Sequence, residues 1–142
     1  MDETQLRFLT TQSLYGKDLQ ERNIAIRQLQ EGDLSDSDIV AIHLRLGLAL
    51  GCQDEYVRSA AAMLLASLAA RIPVSQDLAK GLLSLSCSAD AFPRESALRA
   101  IKAICEEGRC LVPQDAQALS ERLEEARRVE SEGFALSLFD EE

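Results

Sequence analysis

The chain repeats itself every 36 residues. Arg22, Arg58 and Arg94 share that interval, as do Asp18, Asp54 and Asp90, then Ala25, Ala61 and Ala97, and finally Leu29, Leu65 and Ile101. Agreement of four registers over three copies specifies a tandem architecture, in which a unit too small to bury its own apolar face stacks on the next. Each register has a physical role. An Asp opening a helix accepts backbone N–H bonds and suits the positive end of the helix dipole. The Ala lets a neighbouring helix approach closely, and the large aliphatic residue four positions on shares its face. Pro93 fits the first turn of the third copy's helix, where a missing N–H costs nothing.

These registers predict second helices over about 18–31, 54–70 and 90–107, with Gly32 and Gly108 as stop signals. A weaker series marks the first helices. Leu34-Ser35-Asp36, Val74-Ser75-Gln76-Asp77 and Val112-Pro113-Gln114-Asp115 each set an apolar residue before Ser or Pro and an acid, the pattern of a staple with a cap. They predict helices over about 37–50, 75–86 and 114–128, preceded by an opening helix at 2–14. No segment alternates with period 2, so strands are not expected. The organisation is a single domain over 1–142: helix pairs 2–31, 36–71 and 75–107, an acidic capping helix 114–130, and a tail 131–142.

A chain of 142 residues can bury a sizeable core without staples. With aromatics at 4% and no Trp, that core is aliphatic. The net charge of −9 disfavours phosphate backbones and anionic membranes. It is unevenly placed: residues 1–105 carry 11 basic and 13 acidic side chains, residues 106–142 carry 4 and 11. The acidic start Met1-Asp2-Glu3 has no secretory character, and no apolar run reaches membrane-spanning length. A cytoplasmic location with reduced thiols is the expectation. Cys52, Cys87, Cys105 and Cys110 lack zinc spacing and are expected as small core or junction residues.

The stretches Asp54-Glu55-Tyr56-Val57-Arg58-Ser59-Ala60-Ala61 and Asp90-Ala91-Phe92-Pro93-Arg94-Glu95-Ser96-Ala97 resemble HEAT repeats of the bacterial HEAT-like kind. The acid, then Val-Arg or Pro-Arg, then alternating small and large apolar residues carry the resemblance over about residues 15–107. The first copy departs from it at Glu21. The resemblance implies an all-α fold, a short right-handed α-solenoid of about three helix pairs plus a C-terminal capping helix. It also implies a protein-binding scaffold whose Asp and Arg series form a ladder joining neighbouring units, with direct partner contact as the alternative role for the arginines. HEAT-like enzymes offer no match: the metal-binding kind needs His-Glu pairs, whereas His43 precedes Leu44, and the DNA glycosylase kind needs a strongly basic groove.

Catalysis requires proton-exchanging or attacking groups held together. His43 is the one histidine, beside the apolar stripe Ile39, Ile42 and Leu46, and no phosphate-cradling glycine loop is present. Neither enzyme activity, cofactor nor metal is expected. The expected partner is another protein, not nucleic acid or membrane, and two surfaces are candidates. One is a row on the second helices, Arg27, Met63 and Arg99, with Gln30, Ala66 and Lys102 next to it and Asn23, Ser59 and Glu95 beside them; it forms either a positive track or plain solvated surface. The other is the tail, where Phe134, Leu138 and Phe139 form an apolar side framed by acids, either folded over the last repeat or docked in a partner's groove. An adaptor or assembly factor is the first functional reading. The alternative is an immunity protein covering a basic bacterial toxin with Glu121, Glu124, Glu125, Glu130 and Glu132.

Overall fold

The computed structural model describes residues 1–131. Seven helices make up about three quarters of them: α1 (Glu3–Tyr15), α2 (Leu19–Glu31), α3 (Asp36–Leu50), α4 (Glu55–Ser67), α5 (Gln76–Leu85), α6 (Ala91–Glu107) and α7 (Pro113–Ser131). Their starts follow local chemistry. Asp18 and Asp54 accept from the amides of Glu21 and Tyr56, both at 2.8 Å, while Asp90 occupies the same position without a side-chain bond. Ser35 and Asp38 close a reciprocal capping box on α3. The Ser35 amide, with help from its hydroxyl and from the Met1 amine 3.2 Å away, holds the Asp38 carboxyl below its ordinary pKa. Ser75 caps α5, and Pro113 stands at the first position of α7. Gly32 and Gly108 end α2 and α6 at φ −75° and −88°, so they stop the helices with ordinary backbone rather than a left-handed turn.

One departure from the all-helical expectation is small. Pro73–Val74 (β1) and Arg109–Cys110 (β2) form a two-residue parallel pairing, with the Leu111 amide donating to the Val74 carbonyl at 2.9 Å. Both segments are connectors leaving α4 and α6, and lying side by side they satisfy each other's backbone groups. Period-2 alternation cannot announce a pairing of this length.

The repeat registers point inward. Ala25, Ala61 and Ala97 are buried, and Leu29, Leu65 and Ile101 are fully so. They belong to one aliphatic cluster that draws on all seven helices, from Leu6 to Ala126. α4 and α6 share the most extensive helix pairing, α1 packs on α2 and on α4, and α7 covers α6 and α5. α2 touches α4 only along a narrow seam.

The arginine register holds turns. Arg22 Nε donates to the Gly16 carbonyl at 2.9 Å, Arg58 Nη1 to that of Cys52 at 2.9 Å, and Arg94 Nη1 to that of Ser88 at 3.1 Å, each six residues back. Each guanidinium thus reaches from the first turn of a second helix to a carbonyl of the short connector that follows the helix before it, an acceptor outside the helix's own hydrogen-bond ladder. The series is therefore a set of turn clamps rather than a ladder between units; only Arg22 also reaches the next unit, at the Tyr56 carbonyl, 3.3 Å away. Between the second and third units the link is Glu55, which accepts from the Ser88 hydroxyl at 2.7 Å, a bond that lowers its pKa. Cys87 and Cys105 are exposed, and Cys52 and Cys110 are partly buried and pack against the aliphatic cluster. Being small and only weakly polar, they are tolerated at junctions without being needed to fill space.

A Cβ at Gly16 would lie 2.6 Å from the Gln12 carbonyl oxygen and 3.1 Å from Arg22 Cγ. Gly16→Ala is expected to cost about 1–3 kcal/mol by forcing the first clamp apart. Urea unfolding checks this, and an unchanged midpoint would show that the turn yields freely.

Candidate protein-binding surface

α6 supplies the cations of the surface. Its buried side carries Ala97, Leu98, Ala100, Ile101 and Ile104, which leaves Arg99 exposed and Lys102 half-buried at the edge facing α4. There they line a shallow groove of about 380 Å³ with Gln30 of α2, Ala66 and Ser67 of α4, and Glu106. Lys102 Nζ lies 3.9 Å from Glu106 Oε2, one turn further along α6. The small side chain of Ala66 leaves the depression, and Gln30 closes its far wall. Three second helices thus contribute to one concavity, with two cations on a molecule of net charge −9.

The remaining row residues are not brought together. Arg27 is exposed but lines a different depression of about 620 Å³ along α2, with Leu19, Ile24 and Glu31. Met63 is half-buried and packs against the core, and Glu95 is half-buried on α6. Ser59, placed beside the row from the repeat, is fully buried and donates to the Glu55 carbonyl at 2.8 Å. The reason is the narrow α2–α4 seam: α4 and α6 stack closely along their length, whereas α2 leans on α1. The register Gln30–Ala66–Lys102 therefore converges, and Arg27–Met63–Arg99 does not.

At the C-terminal end, Glu121, Glu124 and Glu125 are exposed on α7. They are interleaved with arginines: Arg122 Nη1 lies 3.7 Å from Glu125 Oε1, and residues 113–129 hold four acids and three bases. The side chains of Glu130 and Glu132, with Phe134, Leu138 and Phe139, lie outside the described residues. Nearby, desolvation pushes the Cys105 thiol up against the opposing pull of Arg127, and burial likewise raises Cys110, which keeps both as thiols at neutral pH.

A second surface was not singled out from the sequence. Val40, Leu44 and Leu48 of α3 are 59%, 64% and 76% exposed. Beside them lies a more apolar groove of about 720 Å³ between α3 and α5, lined by His43, Gly47, Gly51, Asp77, Lys80 and Gly81 among others. A Cβ on Gly81 would stand 3.0 Å from Leu50 Cβ, so the glycine lets α5 approach α3. The signal was present as an apolar row at i, i+4 and i+8 on a helix already carrying Ile42, Leu46 and Ala49 on its opposite side; a helix apolar all round is buried or partnered.

Among the described residues, no three His, Cys, Asp or Glu side chains gather as a metal site, and no helix is long and apolar enough to cross a membrane. Comparison with protein-family models, with curated proteins and with solved structures gives no match to this chain.

Proposed function

We propose that this protein is a non-enzymatic binding module, a short right-handed α-solenoid of HEAT-like helix pairs that holds another protein against the groove spanned by α2, α4 and α6. One observation carries the reading: Gln30, Ala66, Arg99 and Lys102, from three different helices, share one concavity. Such a surface has shape and charge to offer, which suits an extended acidic segment of a partner. Repeat units with matched interior alanines and matched turn-clamping arginines support the solenoid assignment. The adaptor reading is preferred to the toxin-inhibitor one because α7 interleaves its carboxylates with Arg122, Arg127 and Arg128, and residues 113–131 sum to only −2.

The test is affinity capture from the native cytoplasm, followed by binding measurements on the protein retained. Arg99→Glu is expected to weaken that complex about tenfold or more, roughly 1.4 kcal/mol, and to flatten its salt dependence. A complex equally tight with Arg99→Glu and with Lys102→Glu would remove the groove from the interface.

A further inference from the structure

The apolar face of α3 belongs to neither the core nor the α2–α4–α6 groove. At about 100° per residue, Val40, Leu44, Leu48, Gly47 and Gly51 fall within an arc of about 100°. The fully buried Ile42, Leu46 and Ala49 lie diametrically opposite. α1 and α5 flank α3 and α4 lies behind it. On the α1 side, Arg45 Nη1 donates to Thr11 Oγ1 at 3.3 Å, so the exposed arc is turned away from α1 and borders the α5 groove on its other side.

From this we propose that the α3 face is a homodimer interface, with a second copy of this chain as its occupant. Three observations select that occupant. First, ridge and groove stand side by side on the same surface. Val40, Leu44 and Leu48 form an i, i+4, i+8 ridge, and the 720 Å³ groove, of which Leu44 and Leu48 make one wall, runs along Gly47, Gly51 and Gly81. A two-fold axis seats each ridge in the other copy's groove, which is the self-complementarity that an isologous contact requires.

Second, a Cβ built on Gly47 meets nothing within 4 Å, so the backbone of α3 is open to close approach by another helix. Third, the charges suit a like partner. In a chain of net charge −9, most surfaces of two copies repel, yet the ionisable groups lining this groove are His43, Asp77 and Lys80, which sum to zero with His neutral. An antiparallel pairing that sets Lys80 of each copy against Asp77 of the other would make the same contact attractive at its rim.

This inference stands apart from the proposed function, since it uses the opposite helices and other residues. Sedimentation equilibrium of the full chain over a wide range of concentration tests it. The mass is expected to climb from monomer toward dimer. Leu48→Glu is expected to leave a monomer that melts with the wild-type chain at concentrations too low for pairing, its side chain being 76% exposed in the single chain. Gly47→Leu should fold, because its side chain enters open space, and should block the groove and abolish the dimer. Lys80→Asp should weaken association, and the double exchange Asp77→Lys with Lys80→Asp should restore it.

A wild-type chain that stays monomeric at every concentration overturns the proposal. If Leu48→Glu then lowers the melting temperature, the face is covered by the chain's own C-terminal residues; if it does not, the face is left to a different protein. A dimer that survives both Leu48→Glu and Gly47→Leu overturns it equally.

Discussion

Leu65→Ala is expected to destabilise the fold by about 3–5 kcal/mol, a large share of the total for a single domain. Leu65 is fully buried in α4, at the repeat position that Leu29 and Ile101 occupy in α2 and α6. Removing its outer carbons opens a cavity in the helix that anchors the most extensive pairing of the fold. Fully buried Ala61 and Leu64 surround it in the sequence, and a close-packed aliphatic interior collapses only partly around such a gap. Urea unfolding followed by circular dichroism checks the value, with Ile24→Ala as the control. Ile24 is an aliphatic residue of α2 but exposed, so its truncation should stay within about 0.5 kcal/mol. A loss below about 1.5 kcal/mol for Leu65→Ala would mean that the helix pairs do not share a tightly packed interior.

Arg122→Ala is expected to cost about 1.5–3 kcal/mol and to release α7 ahead of the other helices. Arg122 Nε donates to Ser86 Oγ and its Nη2 to the Ser86 carbonyl, both at 2.9 Å. Ser86 is fully buried at the C-terminal end of α5, and the Arg122 side chain is only 18% exposed. Removing the guanidinium leaves the Ser86 carbonyl without this partner in a place water reaches poorly, and the cost of an unsatisfied buried acceptor exceeds the net gain of an ordinary hydrogen bond. Arg122→Lys is expected to recover less than half, because an ammonium cannot reproduce the two-pronged geometry. Hydrogen exchange locates the effect: amides of α7 should lose protection while those of α4 keep theirs. A variant with wild-type protection throughout α7 would show that the capping helix is held by Leu119, Leu123 and Ala126 alone.

Much of this architecture was legible in the linear chain because its signals are local or periodic. The Asp18 and Asp54 caps and the Ser35 and Ser75 starts depend on residues within one turn. The interior positions of Ala25, Ala61 and Ala97 follow from repetition, since a residue that recurs at one place in a repeated helical pattern keeps the same apolar side. The arginine register was visible, but its task was not. A recurring interval shows that a residue has a constant environment, and only the coordinates reveal that the environment is the carbonyl of the turn six residues back.

The candidate surface was half legible for a related reason. A helical wheel tells which side of α2, α4 or α6 a residue occupies, and it is silent on how far apart the helices stand. Gln30 and Lys102 line one groove with Ala66 between them, whereas Arg27 is carried away with the outer side of α2 and Met63 is half-buried against the core.

The order of residues along the chain thus settled which segments coil and which of their sides turn inward, because helix periodicity, capping and apolar burial act over a few residues or recur from unit to unit. The separation of α2 from α4, the meeting of Pro73–Val74 with Arg109–Cys110, and the uncovered ridge on α3 belong to the tertiary structure. These were decided by how seven differently shaped helix surfaces pack together at once, and no single stretch of sequence carries that sum.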